Sequence, residues 1–206
     1  ALIKDLLLIN EAYRFVVGGP QAEIVGDHLG KSERITIYKG SIEGADNSFF
    51  SDLANDCLDH FYSTSFFKSG KAGFGYPYKP EDFSGPLENR HVYYESSRGC
   101  PFSCTYCLSS AEKGLYHKPL DHVFAELGDI LRSKPSVVRF IDRTFNDVPD
   151  RALQIWSYLK EHGGRTLFHF EIAPDRFTDK MFDFLEGLEP NRFQFEIGIQ
   201  STHGKT

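Results

Sequence analysis

Cys100, Cys104 and Cys107 carry the clearest chemical signal in this chain. They stand at the spacing C-x₃-C-x₂-C in the run Ser97-Arg98-Gly99-Cys100-Pro101-Phe102-Ser103-Cys104-Thr105-Tyr106-Cys107, and only one other cysteine, Cys57, is present. Three thiolates this close can hold three irons of a 4Fe–4S cube and leave the fourth iron without a protein ligand. An iron with an open position can bind and activate a small molecule, whereas a fully ligated cluster mainly passes electrons. The competing reading is a structural zinc site with His91, His117 or His122 as fourth ligand. Such sites usually pair C-x₂-C with a second, distant pair, and the sequence has none. A cluster that only carries electrons would need a fourth ligand near the loop, yet Cys57 falls on an apolar helical pattern and reads as a core residue.

The cysteine run resembles the cluster loop of the radical S-adenosylmethionine (radical SAM) family, in which an aromatic residue precedes the last cysteine. Tyr106 takes that place. The wider stretch from Tyr93 to Cys104 is similar to the branch that carries a cobalamin-binding domain ahead of the radical domain. The resemblance implies a 4Fe–4S cluster on Cys100, Cys104 and Cys107, with S-adenosylmethionine chelating the open iron through its amino and carboxylate groups. An electron from a reductant such as flavodoxin or ferredoxin then breaks the C5′–S bond, and the resulting 5′-deoxyadenosyl radical abstracts hydrogen from a substrate.

The resemblance also distributes roles. Asp142 ends the second expected strand, where relatives bind the cofactor's ammonium, and Arg143, Thr144 and Asn146 follow it. The Gly-Gly-Glu of other branches is missing there, so Asp142 is a substitute by position. Its plain alternative is a salt bridge to Arg143 or Arg139. Glu171 and Glu196 are the candidate catalytic carboxylates, facing cofactor or substrate. Phe195-Glu196-Ile197-Gly198-Ile199-Gln200-Ser201 looks like the ribose-contacting strand, with Gln200 where the commoner pattern has Glu. Arg98 either steadies the cluster's charge or pins the loop. Val16-Val17-Gly18-Gly19-Pro20 resembles the strand and turn that admit the nucleotide tail of cobalamin, and Gly40-Ser41-Ile42-Glu43 is an imperfect match to that domain's closing turn. The cobalt-ligating Asp-x-His-x-x-Gly motif is absent. With cobalamin, methyl transfer to an unactivated carbon is implied; without it, hydrogen abstraction or rearrangement.

The elements that must position these groups can be read from periodicity. His91 to Glu95 is a short strand running into the cysteine loop. Leu120, Val123, Phe124, Leu127, Ile130 and Leu131 fall at helical spacing. A strand at 137–142, a helix from Pro149-Asp150 to Gly163-Gly164, a strand at 167–172, a helix capped by Thr178 and a strand at 192–200 follow. Such alternation predicts parallel βαβ units. Along the last strand Phe193, Phe195, Ile197 and Ile199 share one face, while Gln194, Glu196, Gly198 and Gln200 share the other. A polar face in a helix-covered parallel sheet suggests a barrel lumen holding a polar ligand; an exposed antiparallel edge strand is the alternative.

Toward the N-terminus, Leu6–Asn10, Tyr13–Val17 and Ile35–Tyr38 read as strands. Phe49, Phe50, Leu53, Cys57, Leu58 and Phe61 read as one helix face, and residues 63–90 as a surface linker. Parallel neighbours need a crossover of about a dozen residues or more, so the short spacer after Asn10 predicts a break there, with residues missing. The chain begins at Ala1 without methionine and stops just past an apparent strand, as a piece of a longer protein would. The expected architecture is α/β: a partial (β/α) barrel of radical SAM type at 90–206, a helix and linker at 57–89, and an incomplete Rossmann-like domain of cobalamin-binding type at 1–56.

Composition narrows the partners. A formal net charge of −6 disfavours nucleic acid as the partner. No apolar run approaches the roughly 20 residues of a membrane span, and no secretory leader pattern is visible. Three of four cysteines in one tight loop fit a reducing, cytoplasmic setting better than a disulfide framework. The substrate, small molecule or peptide, is not written in the sequence.

Overall fold

The computed structural model describes residues 2–19, 21–40, 42, 47–64, 74–110, 114–199, 201 and 203. The chain divides into two compact units, 1–74 and 75–206.

The first unit opens with α1 (Leu2–Ile9), followed by β1 (Phe15–Val17), α2 (Ala22–Leu29), β2 (Ile35–Lys39), α3 (Asn47–Ala54) and β3 (Phe61–Ser63). The three strands are parallel in the order β1-β2-β3. Central β2 is buried on both faces. Ile35 and Ile37 pack with Ala22, Ile3, Leu7 and Leu29, while Tyr38 packs with Phe49, Leu58 and Tyr62.

Two expectations fail here. Leu6–Ile9 is helical, not a strand: a short apolar run carries no period that separates the two, and Ile3 and Leu7, one turn apart, meet the core together. A helix followed by a turn and a strand needs no crossover, so no break is required at Asn10. The backbone bonds Asn10 N to Leu6 O (3.3 Å) and Tyr13 N to Asn10 O (3.3 Å) run through that point. Arg34 secures the helix end by donating to the carbonyls of Leu7 (3.1 Å), Asn10 (3.3 Å) and Glu11 (3.4 Å). The second failure is the long apolar helix: α3 stops at Ala54, Cys57 is exposed beyond it, and Phe61 belongs to β3.

The second unit contains α4 (Pro80–Phe83), β4 (Val92–Tyr94), β5 (Ser97–Gly99), β6 (Leu115–His117), α5 (Leu120–Arg132), β7 (Val137–Phe140), α6 (Pro149–His162), β8 (Leu167–Ile172), a 3₁₀ turn at Pro174–Arg176, α7 (Asp179–Glu186) and β9 (Phe193–Ile197). Strands β4-β7-β8-β9 form one parallel sheet in sequential order, with α5, α6 and α7 as the crossovers. Thr178 heads α7 without a side-chain capping bond. One face of the sheet (Val92, Tyr94, Val138, Phe140, Phe168, Phe170) meets the helices around fully buried Trp156. Tyr76, Tyr78 and Phe83, in the stretch read as surface linker, pack against this core.

Strand β9 is the edge of the described sheet with its polar side exposed, as the alternative for that face supposed, but it runs parallel to β8 and not antiparallel. Phe193 and Phe195 enter the aromatic core, with ring centroids 5.7 and 5.5 Å from Trp156. The opposite side of the sheet carries Tyr93, Arg139, His169 and Gln194 in register across four strands.

Candidate cluster and cofactor site

The cysteine loop is slung between two strands that periodicity does not reveal. β5 and β6 pair antiparallel, with Ser97 opposite His117, Arg98 opposite Tyr116 and Gly99 opposite Leu115. Three residues per strand, with polar and apolar types mixed, leave no two-residue period to detect. Cys100, Cys104 and Cys107 stand outside any disulfide and are partly exposed. Cys107 N bonds Cys104 O at 3.1 Å, closing a turn around the last two. Tyr106, the aromatic residue of the motif, is 70% exposed. The Cys100 sulfur lies 3.5 Å from Thr144 Oγ1, and that hydroxyl also donates to the Arg143 carbonyl at 2.8 Å. Arg176 covers the ring of Phe102 within the loop, 5.4 Å from its centroid.

Both ends of this hairpin are held by the segment that follows β7. On the incoming side, Asp142 is 1% exposed, and its carboxylate accepts from Ser96 N (3.0 Å), Ser96 Oγ (2.6 Å) and Ser97 Oγ (2.6 Å). Burial pushes its carboxyl above the usual range, opposed by those serine donors. Ser96 O in turn accepts from Lys118 N (2.9 Å) and from the Arg151 guanidinium (3.2 Å). On the outgoing side, His117 Nε2 pairs with both carboxylate oxygens of Asp147, at 3.1 and 3.0 Å.

Beneath the hairpin lies buried Lys118, whose ammonium donates to Glu126 at 2.6 Å and sits 5.4 Å from the centre of the Tyr94 ring. The Tyr94 hydroxyl donates to the same Glu126 oxygen at 2.8 Å. Burial and the Glu126 carboxylate push its ionisation far above the ordinary tyrosine value. Arg98 forms a two-pronged pair with Glu95, three residues before it on the incoming stretch.

The segment after β7 also reaches β8. Phe145 N bonds Glu171 O (2.9 Å), and the buried Asn146 amide exchanges two bonds with the Ala173 backbone, both 2.8 Å. Glu171 and Glu196 are therefore direct cross-strand neighbours near the C-terminal ends of β8 and β9. Glu196 is 61% exposed and contacts His169 Nε2 (3.2 Å) and Arg139 (3.8 Å), while the Glu171 side chain makes no hydrogen bond or ion pair among the described residues. His169 is buried, and its Nδ1 has no partner among the described residues.

Other sequence candidates fall outside these contacts. Arg143 is exposed, and Ser201 is exposed with its hydroxyl accepting from His203 N at 3.0 Å. Gln200 lies outside the described residues, as do Ser41 and Glu43 of the Gly40 turn. In the first unit Gly18 and Gly19 follow β1. Gly19 has φ +95°, and no atom lies within 4 Å of the place a Cβ would occupy. Ser96, Ser97, Lys118, Glu126, Asp147 and Arg151 carry no recognisable sequence signal, apart from the paired serine hydroxyls just ahead of the loop.

Three cysteines on one loop are a donor set that a 4Fe–4S cube can use. Among the described residues no three His, Cys, Asp or Glu side chains converge as one metal ion requires. In a cube each thiolate meets a different iron, so the three cysteines need to share a loop and not a point. His117 is engaged by Asp147, His122 stands exposed on α5 beside Asp121, and His91 is exposed ahead of β4.

A model of the Radical SAM superfamily matches residues 94–205, more than half the chain, and the chain belongs to that superfamily. Its members bind a 4Fe–4S cluster and S-adenosylmethionine. A solved structure of the radical S-adenosylmethionine methyltransferase TsrM from Kitasatospora setae, with cobalamin and a 4Fe–4S cluster bound, is similar at 16% identity and a TM-score of 0.44, over 53% of this chain and 21% of that one. The present chain thus spans about a fifth of that structure's length. No curated protein matches.

Proposed function

We propose that this chain is the cluster-bearing part of a radical SAM enzyme, in which Cys100, Cys104 and Cys107 hold three irons and the fourth is left for S-adenosylmethionine. When bound, cluster and cofactor together supply the one-electron chemistry that activates an unreactive C–H bond. The observation that carries the reading is the arrangement of the hairpin: three cysteines outside any disulfide on the one loop between β5 and β6, tethered by buried polar groups at both ends. The sequential parallel order β4-β7-β8-β9 is the winding of a (β/α) barrel. Glu171 and Glu196 then stand toward the strand ends where such barrels place their chemistry. Glu196 has His169 and Arg139 beside it, which leaves the Glu171 carboxylate to meet a cationic group of cofactor or substrate.

Cobalamin-dependent methyl transfer is the finer reading. It is supported by the turn at Gly18-Gly19 after β1, where the backbone is open to approach, in a unit whose parallel strands fit part of a Rossmann-like domain. No histidine of the Asp-x-His-x-x-Gly type is present to ligate cobalt. We take flavodoxin or ferredoxin as the class of reductant, a small molecule or peptide as the substrate, and the cytoplasm as the setting. Among the described residues no helix is long and apolar enough to cross a membrane.

Anaerobic iron–sulfur reconstitution tests the main reading, followed by electron paramagnetic resonance of the reduced protein with and without S-adenosylmethionine. A 4Fe–4S signal that changes with the cofactor is expected. Stoichiometric zinc and no cluster would make this half of the chain a structural interaction module, and a cluster indifferent to the cofactor would make it an electron carrier. Added hydroxocobalamin should give a base-off absorbance spectrum, weakened in Gly19→Val, if the finer reading holds.

A further inference from the structure

Asp142 has the position of a cofactor ligand and the surroundings of a structural anchor. Its carboxylate is fully buried, and both oxygens already accept strong bonds from Ser96 and Ser97, residues 46 and 45 positions away in sequence. Those serines stand at the start of the incoming strand β5, three and four residues ahead of Cys100. Five residues after Asp142, Asp147 holds His117 at the end of the outgoing strand. Between them Thr144 touches Cys100, and Phe145 and Asn146 bond to β8 and the residue after it. One six-residue segment therefore joins both ends of the cysteine hairpin to the rigid parallel sheet.

We propose, resting on the radical SAM reading, that Asp142 is a positioning residue for the cluster loop, acting with Asp147 as a two-ended clamp, in place of the ammonium contact that family resemblance implies. A carboxylate 1% exposed with three serine bonds has little capacity left for an ammonium group, and withdrawing it would leave the Ser96 amide and both hydroxyls buried without acceptors. The clamp would hold the loop between β5 and β6 near one geometry, so that less ordering remains when iron binds.

The test uses the whole chain as wild type, Asp142→Ala, Asp142→Asn and Ser97→Ala. In metal-free protein, amide exchange over residues 96–99 and 115–118 is expected to quicken at least about tenfold in Asp142→Ala and less in Ser97→Ala, with α5 amides unchanged. After anaerobic reconstitution, an iron chelator should bleach the Asp142→Ala cluster about tenfold faster or more. Asp142→Asn should fall between, because its carbonyl still accepts while its amide turns N–H groups toward a donor. Its affinity for S-adenosylmethionine, by equilibrium dialysis on the cluster-loaded fraction, should stay within about twofold of wild type.

Wild-type exchange and bleaching in Asp142→Ala would overturn the clamp. So would a tenfold loss of cofactor affinity in Asp142→Asn with cluster lifetime intact, which would make Asp142 a ligand. Should Asp142→Ala not fold, Ser97→Ala, which keeps the carboxylate and removes one donor, decides by the same two rates. A wild-type chain that takes up no iron overturns the radical SAM reading alone, because exchange in metal-free protein still judges the clamp.

Discussion

The two units carry their candidate sites on very different foundations. Behind the cysteine hairpin, sixteen buried residues form one core around Trp156, and a layer of buried polar groups ties the hairpin to it. Behind the Gly18-Gly19 turn, the buried hydrophobics are Ala22, Ile35 and Ile37 on one side of the sheet and Tyr38 and Phe49 on the other. The first arrangement suits a loop whose three thiols must meet a rigid inorganic cube. The second would suit the proposed cobalamin turn, which would offer backbone to a ligand and ask for space and a positive φ and not for fixed side chains.

The largest effect that would break this contrast is at the cysteines. Cys100→Ala, Cys104→Ala or Cys107→Ala should each reduce iron after reconstitution to background and abolish the paramagnetic signal, whereas Cys57→Ala should retain both in full. Next comes the core itself. Trp156→Ala should cost about 3–5 kcal/mol in denaturant unfolding of the second unit, with loss of cluster uptake although the residue touches no cysteine.

In the first unit, Gly40 has φ +98°, and a Cβ there would come within 1.8 Å of the Thr64 carbonyl oxygen. Gly40→Ala should therefore destabilise the β2–β3 edge by about 2 kcal/mol or more. Faster amide exchange at Tyr62 to Thr64, with normal cluster content, would sharpen the separation of the two units; a lost cluster would break it.

The smallest effect is at Tyr94. Tyr94→Phe removes its bond to Glu126 while the Lys118 pair remains, a loss of about 1 kcal/mol at neutral pH by urea titration. An ordinary tyrosine ionises at 10.0, and buried Tyr94 does so higher. Above pH 10 or so the unfolded chain gives up this proton first, so the stability present at lower pH is lost as pH climbs toward the raised folded value. The alkaline limb of a stability–pH curve should therefore be flatter in Tyr94→Phe than in wild type.

Much of the second unit is legible in the chain because its signals are local. The cysteine spacing spans eight residues, and the apolar faces of α5, α6, β8 and β9 repeat at the periods of a helix and a strand. Leu6–Asn10 shows where local signals run out: four apolar residues in a row fit either structure, and only the contact of Ile3 and Leu7 with β2 selects the helix. Cys57 shows the same limit, since an apolar pattern that continues past Ala54 does not reveal that the helix stops there.

The sequence by itself determined that three thiols share one loop and that strands and helices alternate around it, because both depend on neighbours a few residues apart. Only the tertiary structure decided how that loop is held. The bonds from Asp142 to Ser96 and from His117 to Asp147 span 46 and 30 residues. No periodicity connects such partners; they meet because parallel strands packed on a common core bring the end of β7 beside the hairpin, where each buried polar group must find an acceptor or a donor.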